Sequence, residues 1–154
     1  LVGSEMCIRD RFAGDIHFSK KVECDVENVR VPSMILQPVV ENAVNHGIRN
    51  IDWEGHIDLS VERWNDHIEI SVRDNGLGMT GEQIQRVLSK KVHSSSGEGD
   101  STGIGMNNVI SRLELYYERD GLMEIYSEGE GMGTEVVINI PLERSEKNVQ
   151  NPDC

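Results

Sequence analysis

Asp74-Asn75-Gly76-Leu77-Gly78-Met79 follows a run in which Ile68, Ile70 and Val72 alternate with polar residues, a pattern typical of a half-buried β-strand. Because alternate side chains of a strand point to the same face, Asp74 is predicted to lie on the apolar face. A buried carboxylate without a partner is costly to desolvate, and the two glycines let the backbone turn sharply beside it. Asp-Asn-Gly is also common in ordinary turns. The burial of Asp74 favours a ligand that offers it a hydrogen-bond donor.

Length and charge limit the classes of protein to which the chain can belong. Its 154 residues suffice for one domain with its own hydrophobic core. A net charge of -12 and a pI near 4.8 argue against nucleic acid and anionic membranes as partners, because both require a basic surface. The three cysteines lack zinc-site or disulfide spacing, and no apolar run approaches the ~20 residues that span a bilayer. These features predict a cytoplasmic segment without direct membrane contact.

The two ends of the chain differ from its middle. Residues 1–11 fit no structural pattern and are expected to be non-native or artefactual sequence. Residues 143–154 are polar and aperiodic, as expected of a flexible tail. The domain is therefore expected to span residues 12–142.

Hydrophobic periodicity predicts both helices and strands. A helix is expected after Pro32, with Ser33 as its N-cap and Gly47 at its end, and two more over Gly81–Ser89 and Gly105–Arg119. Residues 93–102, rich in Ser and Gly, are expected to be mobile. Extended structure is predicted in residues 15–31, with a turn near Glu27-Asn28, and hairpins over residues 57–72 and 122–140. This order predicts an α+β two-layer sandwich, a mainly antiparallel mixed sheet with helices on one face.

Two further clusters are candidates for ligand contacts. Asn42 and His46 share a helix face, with Asn45 beside them, although a solvated face is the alternative. Residues 102–108 open a predicted helix, where free amides would favour phosphate, although a flexible linker before a helix is equally compatible. Thr134 lies in register with the apolar residues of the last strand and is expected to face the same interior as Asp74, unless it is simply a β-favouring residue.

These motifs, in this order, resemble the ATP-binding domain of the GHKL superfamily of histidine kinases, gyrase, Hsp90 and MutL. Residues 35–47 (ILQPVVENAVNHG) are similar to its N box, residues 74–79 to its G1 box, residues 102–106 (TGIGM) to its G2 box and residues 131–134 (GMGT) to its last glycine motif. The pattern LQPxxENA with a later NVxxRL resembles sensor histidine kinases of the LytS/YesM type.

The resemblance implies a role for each motif. Asp74 would accept a hydrogen bond from the adenine amino group, Gly76 and Gly78 would let the base approach, and Asn42 would ligate Mg²⁺. Residues 80–102 would form a closing lid, and the amides near Gly103 and Gly105 would bind the phosphates of ATP. The full predicted nucleotide site comprises Asn42, Asn45, His46, Asp74, Gly76, Gly78, Met79, Thr102, Gly103, Ile104, Gly105, Met106 and Thr134.

Two positions depart from the superfamily pattern. Pro38 stands one turn before Asn42, where related hydrolases carry a general-base Glu, so the activation of water is unsupported. Asn45 stands where relatives often have Lys, which removes one positive charge that would face phosphate. No residue of this chain is therefore assigned as catalytic.

The implied function is the ATP-binding part of a two-component sensor histidine kinase. It would position Mg-ATP for transfer to a His on a dimerisation domain, and would act indirectly on a response regulator. None of the five histidines of this chain has the sequence context of a phosphoacceptor, so that domain is expected upstream of residue 12, in a parent anchored in the bacterial plasma membrane. The alternatives are a stand-alone anti-sigma-factor serine kinase and a non-catalytic nucleotide-binding interaction module.

Overall fold

The computed structural model describes residues 16–23, 26, 29–89 and 101–142, the side chains of residues 101–103 excepted. Alternating apolar residues form the strands, and apolar residues at helical spacing form the helices. The elements in chain order are β1 (Ile16–Val22), α1 (Leu36–Asn42) with a π-helical continuation (Ala43–Ile48), β2 (Gly55–Arg63), β3 (His67–Asp74), α2 (Gly81–Leu88), α3 (Ser101–Tyr117), β4 (Met123–Tyr126) and β5 (Thr134–Pro141).

The strands form one mixed sheet in the order β1-β2-β3-β5-β4. β1 runs parallel to β2, whereas the other three pairs are antiparallel. Both predicted hairpins, β2 with β3 and β4 with β5, are confirmed. In the central pair, Asp74 at the end of β3 lies opposite Thr134 at the start of β5. The mainly antiparallel mixed sheet and the α+β class are therefore confirmed.

The core lies between the helices and one face of the sheet. Val39 and Val44 of the first helix pack with Met106 and Leu113 of α3 and with the apolar residues of the strands. The other face of the sheet carries polar side chains, such as the cross-strand pair Asp58 and Arg73. This one-sided burial produces the alternation seen in the strands.

The start and end of the first helix differ from the prediction. Ser33 is not its N-cap: the helix begins at Leu36 without any side-chain cap, and the Ser33 carbonyl accepts a hydrogen bond from Arg112 (2.6 Å). Met34, with a φ of 63°, separates Ser33 from the helix. The helix also continues past Gly47 to Ile48, because its last turns are π-helical.

The third helix begins earlier than predicted. α3 starts at Ser101, so Gly103 and Gly105 lie within its first turns. Residues 102–108 thus lie in the first turns of the helix, as predicted, and Gly105 is its fifth residue, beyond the four N–H groups that a helix leaves free at its start. The predicted turn at Glu27-Asn28 and the stretch 93–100 lie outside the described residues.

Candidate nucleotide-binding site

The best-supported candidate site is a cavity of about 450 Å³ at one end of the central strand pair. The π-turn after α1, the loop after β3, the start of α2 and the β4–β5 loop surround it. Its volume falls within the range of small-molecule and cofactor sites. The residues that line it are Asn42, His46, Gly47, Asp74, Leu77, Gly78, Met79, Gln83, Glu130, Gly131 and Thr134.

Asp74 lies at the inner end of the cavity, as its position on the apolar face predicts. Asp74 and Thr134 are each only 5% exposed. The Gly76 amide donates to Asp74 Oδ1 (2.9 Å), and the Thr134 amide also hydrogen-bonds to the carboxylate. Burial raises the pKa of Asp74 above its ordinary value, and these two backbone bonds oppose the shift. The site thus holds a carboxylate with acceptor capacity left for a ligand.

Close backbone contacts around Asp74 explain two of the glycines. A Cβ on Gly76 would lie 2.1 Å from the Gly47 carbonyl oxygen, and a Cβ on Gly47 would lie 2.7 Å from Asp74 Oδ1. The Leu77 amide donates to the Gly47 carbonyl (2.9 Å). The end of the first helix is therefore fixed directly against the loop after β3, in a contact that any side chain at Gly76 would disrupt.

The β4–β5 loop is joined to the other side of the same loop. Gly78 has a φ of 71°, and a Cβ there would lie only 2.1 Å from the Gly129 carbonyl oxygen. The Gly131 amide donates to the Leu77 carbonyl (2.6 Å), and the Met79 amide to Ser127 Oγ (3.0 Å). These contacts form part of the cavity wall from two glycine-rich loops.

Asn75 has a structural role beside Asp74. Its side chain accepts from the His56 amide (2.7 Å) and donates to the Glu54 carbonyl (2.9 Å). Its own carbonyl accepts from the indole N–H of Trp53 (2.8 Å). Asn75 thus anchors the loop after β3 to the segment before β2, with its side-chain groups used away from the cavity.

The π-turn brings two of the three predicted N-box residues to the cavity. Asn42 and His46 line it, whereas Asn45 is exposed and does not. The Arg49 amide bonds to the Val44 carbonyl (3.0 Å), five residues back, which defines the widened turn. Such π-turns occur frequently at functional sites. No group of the described residues hydrogen-bonds to the buried Asn42 Oδ1, which leaves it capacity for a donor or a cation.

The predicted G2 residues do not line the cavity in the described part of the chain. Met106 is 2% exposed in the core, Gly105 lies against Pro38, and Ile104 is 55% exposed. The side chain of Thr102 and the surroundings of Gly103 lie outside the described part of the structure. The assignment of these five residues to the phosphates stays a prediction. Gly76, although not a lining residue, bonds directly to Asp74.

Five lining residues were not predicted as ligand contacts: Gly47, Leu77, Gln83, Glu130 and Gly131. The sequence does mark the place of Gln83 in the first turn of a helix, because Thr80-x-x-Gln83 has the form of a helix capping box. Glu130 had none, because its position depends on the conformation of a glycine-rich loop. The described lining contains two carboxylates, Asp74 and Glu130, but neither Lys nor Arg.

Comparison with known families places the chain in one protein family. The family described as histidine kinase-, DNA gyrase B-, and HSP90-like ATPase matches residues 30–144, which include all four motifs. The chain belongs to this ATPase family. The superfamily expected from the motifs is thereby confirmed.

The sequence relatives of this ATPase-family chain include sensor kinases. It is 33% identical to the sensor histidine kinase YpdA of Escherichia coli (strain K12) over 125 residues, which are 77% of the chain and 19% of YpdA. It is 30% identical to the sensor histidine kinase/phosphatase LytS of Staphylococcus aureus (strain MRSA252) over 138 residues, 89% of the chain and 23% of LytS. The expected similarity to the LytS type is confirmed, and the chain spans about a fifth of these relatives.

Solved structures agree on the fold. The catalytic domain of the histidine kinase ThkA covers 91% of the chain with a TM-score of 0.63 at 19% identity, and 87% of that domain is matched. The mycobacterial sensor histidine kinase MprB gives the same TM-score at 20% identity, with 91% and 90% covered. Within the described ranges, no helix is long and apolar enough to span a bilayer.

Proposed function

We propose that this chain is the catalytic, ATP-binding domain of a two-component sensor histidine kinase of the LytS type. It holds Mg-ATP so that the γ-phosphate transfers to a His on a separate dimerisation domain, and the parent protein acts through a response regulator. The buried Asp74 carboxylate at the inner end of a nucleotide-sized cavity carries the proposal. Membership of the ATPase family and similarity to YpdA and LytS support it.

Asp74 selects the base. Two backbone amides hold its carboxylate, and its remaining lone pairs face a donor such as the adenine amino group. Guanine presents a carbonyl oxygen at that position, and a carboxylate opposed to an acceptor would stay unpaired and desolvated. Thr134, opposite Asp74 on β5, is expected to contact the same edge of the base.

The residues present fit Mg²⁺. Asn42 Oδ1, which is buried and has no partner within the described ranges, is an oxygen ligand of the kind that Mg²⁺ takes, alongside water and substrate phosphates. When bound, the ion would neutralise phosphate charge in a cavity whose described lining lacks Lys and Arg. His46, at the cavity, and Asn45, beside it on the same turn, are the proposed further contacts on this side.

The chain contributes binding and orientation to phosphoryl transfer. The position one turn before Asn42 is Pro38, which has no group to activate water. In-line transfer to a nucleophile needs alignment and charge stabilisation, and little proton chemistry from the nucleotide-binding domain. The expected acceptor is a histidine on the dimerisation domain.

Labelled ATP, mixed with this domain and a His-containing dimerisation domain of a LytS-type kinase, tests the proposal. We expect Mg-dependent labelling of the His. Asp74→Asn should weaken ATP binding by about 100-fold, because a donor amide replaces a charged acceptor. The same variant should remain folded, since it removes a buried charge, and circular dichroism serves as the control.

Two results would redirect the assignment. ATP binding without any labelling of the His would indicate a nucleotide-responsive interaction module. Labelling of a Ser on a protein antagonist would indicate an anti-sigma-factor kinase. An Asp74→Asn variant with unchanged affinity would remove the basis of the proposed adenine contact.

A further inference from the structure

Gln83 and Glu130 are the polar side chains of the described lining that lie outside the four motifs, and of the two only Gln83 can donate a hydrogen bond. It lies in the first turn of α2 and lines the cavity together with Gly78 and Met79. Its exposure, in contrast to the 5% exposure of Asp74, places it towards the solvent end of the cavity. A ligand whose base reaches Asp74 would extend its ribose and phosphates towards that end.

A capping box fixes the orientation of the Gln83 amide. The Thr80 amide donates to Gln83 Oε1 (2.8 Å), and the Gln83 amide donates to Thr80 Oγ1 (3.3 Å). Because the bond from Thr80 occupies the carbonyl oxygen, the other end of the side-chain amide must be the Nε2 group. Gln83 therefore presents two N–H donors from a side chain that is already ordered, so little rotamer entropy is lost on binding.

Such N–H donors matter for the binding of phosphate because the described lining of the cavity carries negative charge. The described lining holds Asp74 and Glu130 but neither Lys nor Arg, so the donors that this lining offers to phosphate include neutral N–H groups such as that of Gln83. Hydrogen bonds from neutral donors to charged acceptors are roughly twice as strong as neutral pairs. Asn42 and His46 reach the cavity from the first helix, and Gln83 brings a side-chain amide to it from α2.

We propose that Gln83 Nε2 donates to a phosphate oxygen of the bound nucleotide, and that Gln83 is thereby a positioning residue that ties the start of α2 to the phosphates. This inference rests on the proposed ATP-binding function. The capping box then has two roles, since it begins the helix and aims the donor.

Gln83→Glu separates these two roles. A Glu keeps the capping box, because its carboxylate accepts from the Thr80 amide as Gln does, so α2 should remain intact. It loses the donor and adds a negative charge next to the phosphates. Gln85→Glu is the matched control, because it adds the same charge to an exposed position of α2 that does not line the cavity.

Isothermal titration of wild type and both variants with adenosine, ADP and ATP, in Mg²⁺ at fixed ionic strength, tests the proposal. We expect Gln83→Glu to weaken ATP and ADP about tenfold and adenosine by less than about twofold, with Gln85→Glu close to wild type. Equal weakening by both variants, equal loss for adenosine, or no loss at all would overturn the role of Gln83. Failure of wild type to bind any of the three ligands would instead overturn the proposed function on which it rests.

Discussion

The inner and outer ends of the cavity differ in how many of their polar groups are hydrogen-bonded within the protein. At the inner end, Asp74 accepts two backbone bonds, and glycine contacts join the surrounding loops at distances that leave no room for side chains. At the outer end, Asn42 Oδ1 has no hydrogen-bond partner among the residues that the structure describes, and Gln83 and Glu130 are exposed. The inner end is preformed, whereas under the proposed function the outer end would be completed by nucleotide phosphates and a cation.

This difference has a physical basis. A flat, uncharged base can be selected by one fixed acceptor in a dry pocket, where small errors in position are costly. Phosphates carry charge and remain partly hydrated, so their contacts tolerate exposure and depend on a metal ion. Damage to the inner end should therefore affect folding and binding together, and damage to the outer end should affect binding alone.

Gly76→Ala should give the largest effect, because it breaks the inner end. A Cβ there would lie 2.1 Å from the Gly47 carbonyl, a backbone atom that cannot move aside cheaply. We expect a loss of about 3 kcal/mol in the free energy of unfolding, with loss of ATP binding, measured by urea denaturation and titration.

Gly81→Ala is the control for Gly76→Ala. No heavy atom lies within 4 Å of a Cβ at Gly81, which is the first residue of α2. Alanine there should leave the fold as stable as wild type or slightly more stable, since it favours the helix. Equal stability of the two variants would show that the inner end is not closely packed.

Asn42→Ala should affect the outer end alone. Because Asn42 Oδ1 has no partner in the described part of the chain, Asn42→Ala should lower the free energy of unfolding by less than about 1 kcal/mol. ATP affinity in Mg²⁺ should fall at least about tenfold, and the difference from wild type should disappear in EDTA. A loss of the same size in EDTA would mean that Asn42 contacts the nucleotide without a metal ion.

The inner end was also the more predictable from the sequence. Strand alternation is a local property, and it correctly placed Asp74 and Thr134 on one buried face. The π-turn could not be predicted, because the apolar residues around Val44 fit an α-helix equally well. Its extra residue depends on the contact of Gly47 with Gly76, which joins distant parts of the chain.

Loop conformation limited the prediction at the outer end. Glu130 reaches the cavity only because the Gly131 amide bonds to the Leu77 carbonyl, a contact between two loops that no periodicity encodes. α3 starts at Ser101 although its first turns contain two glycines, so tertiary packing overrides their low helix propensity. Gln83 could have been found, since its capping box is a local pattern.

The smallest expected effect is the pH dependence of the free energy of unfolding, which tests the burial of Asp74 at the inner end of the cavity. Burial raises the pKa of Asp74 in the folded chain above its ordinary value of 3.8. Below pH 3.8 the carboxyl is protonated in both the folded and unfolded states, so folding does not bury a charged group at this position. As the pH rises through the raised pKa, the folded chain must ionise a buried group, so the free energy of unfolding decreases.

Asp74→Asn isolates this contribution, because the amide does not titrate. Urea denaturation of wild type and Asp74→Asn without nucleotide, from acid to neutral pH, should show the variant gaining stability relative to wild type as the pH rises above 3.8, and then a constant difference. Parallel curves would mean that Asp74 is not desolvated in the free domain. A bound adenine amino group favours the ionised carboxylate, so ATP should lower the pKa of Asp74 and reduce the difference. Under the proposed function, the Asp74 carboxylate thus lowers the stability of the free domain, and bound ATP would offset this loss.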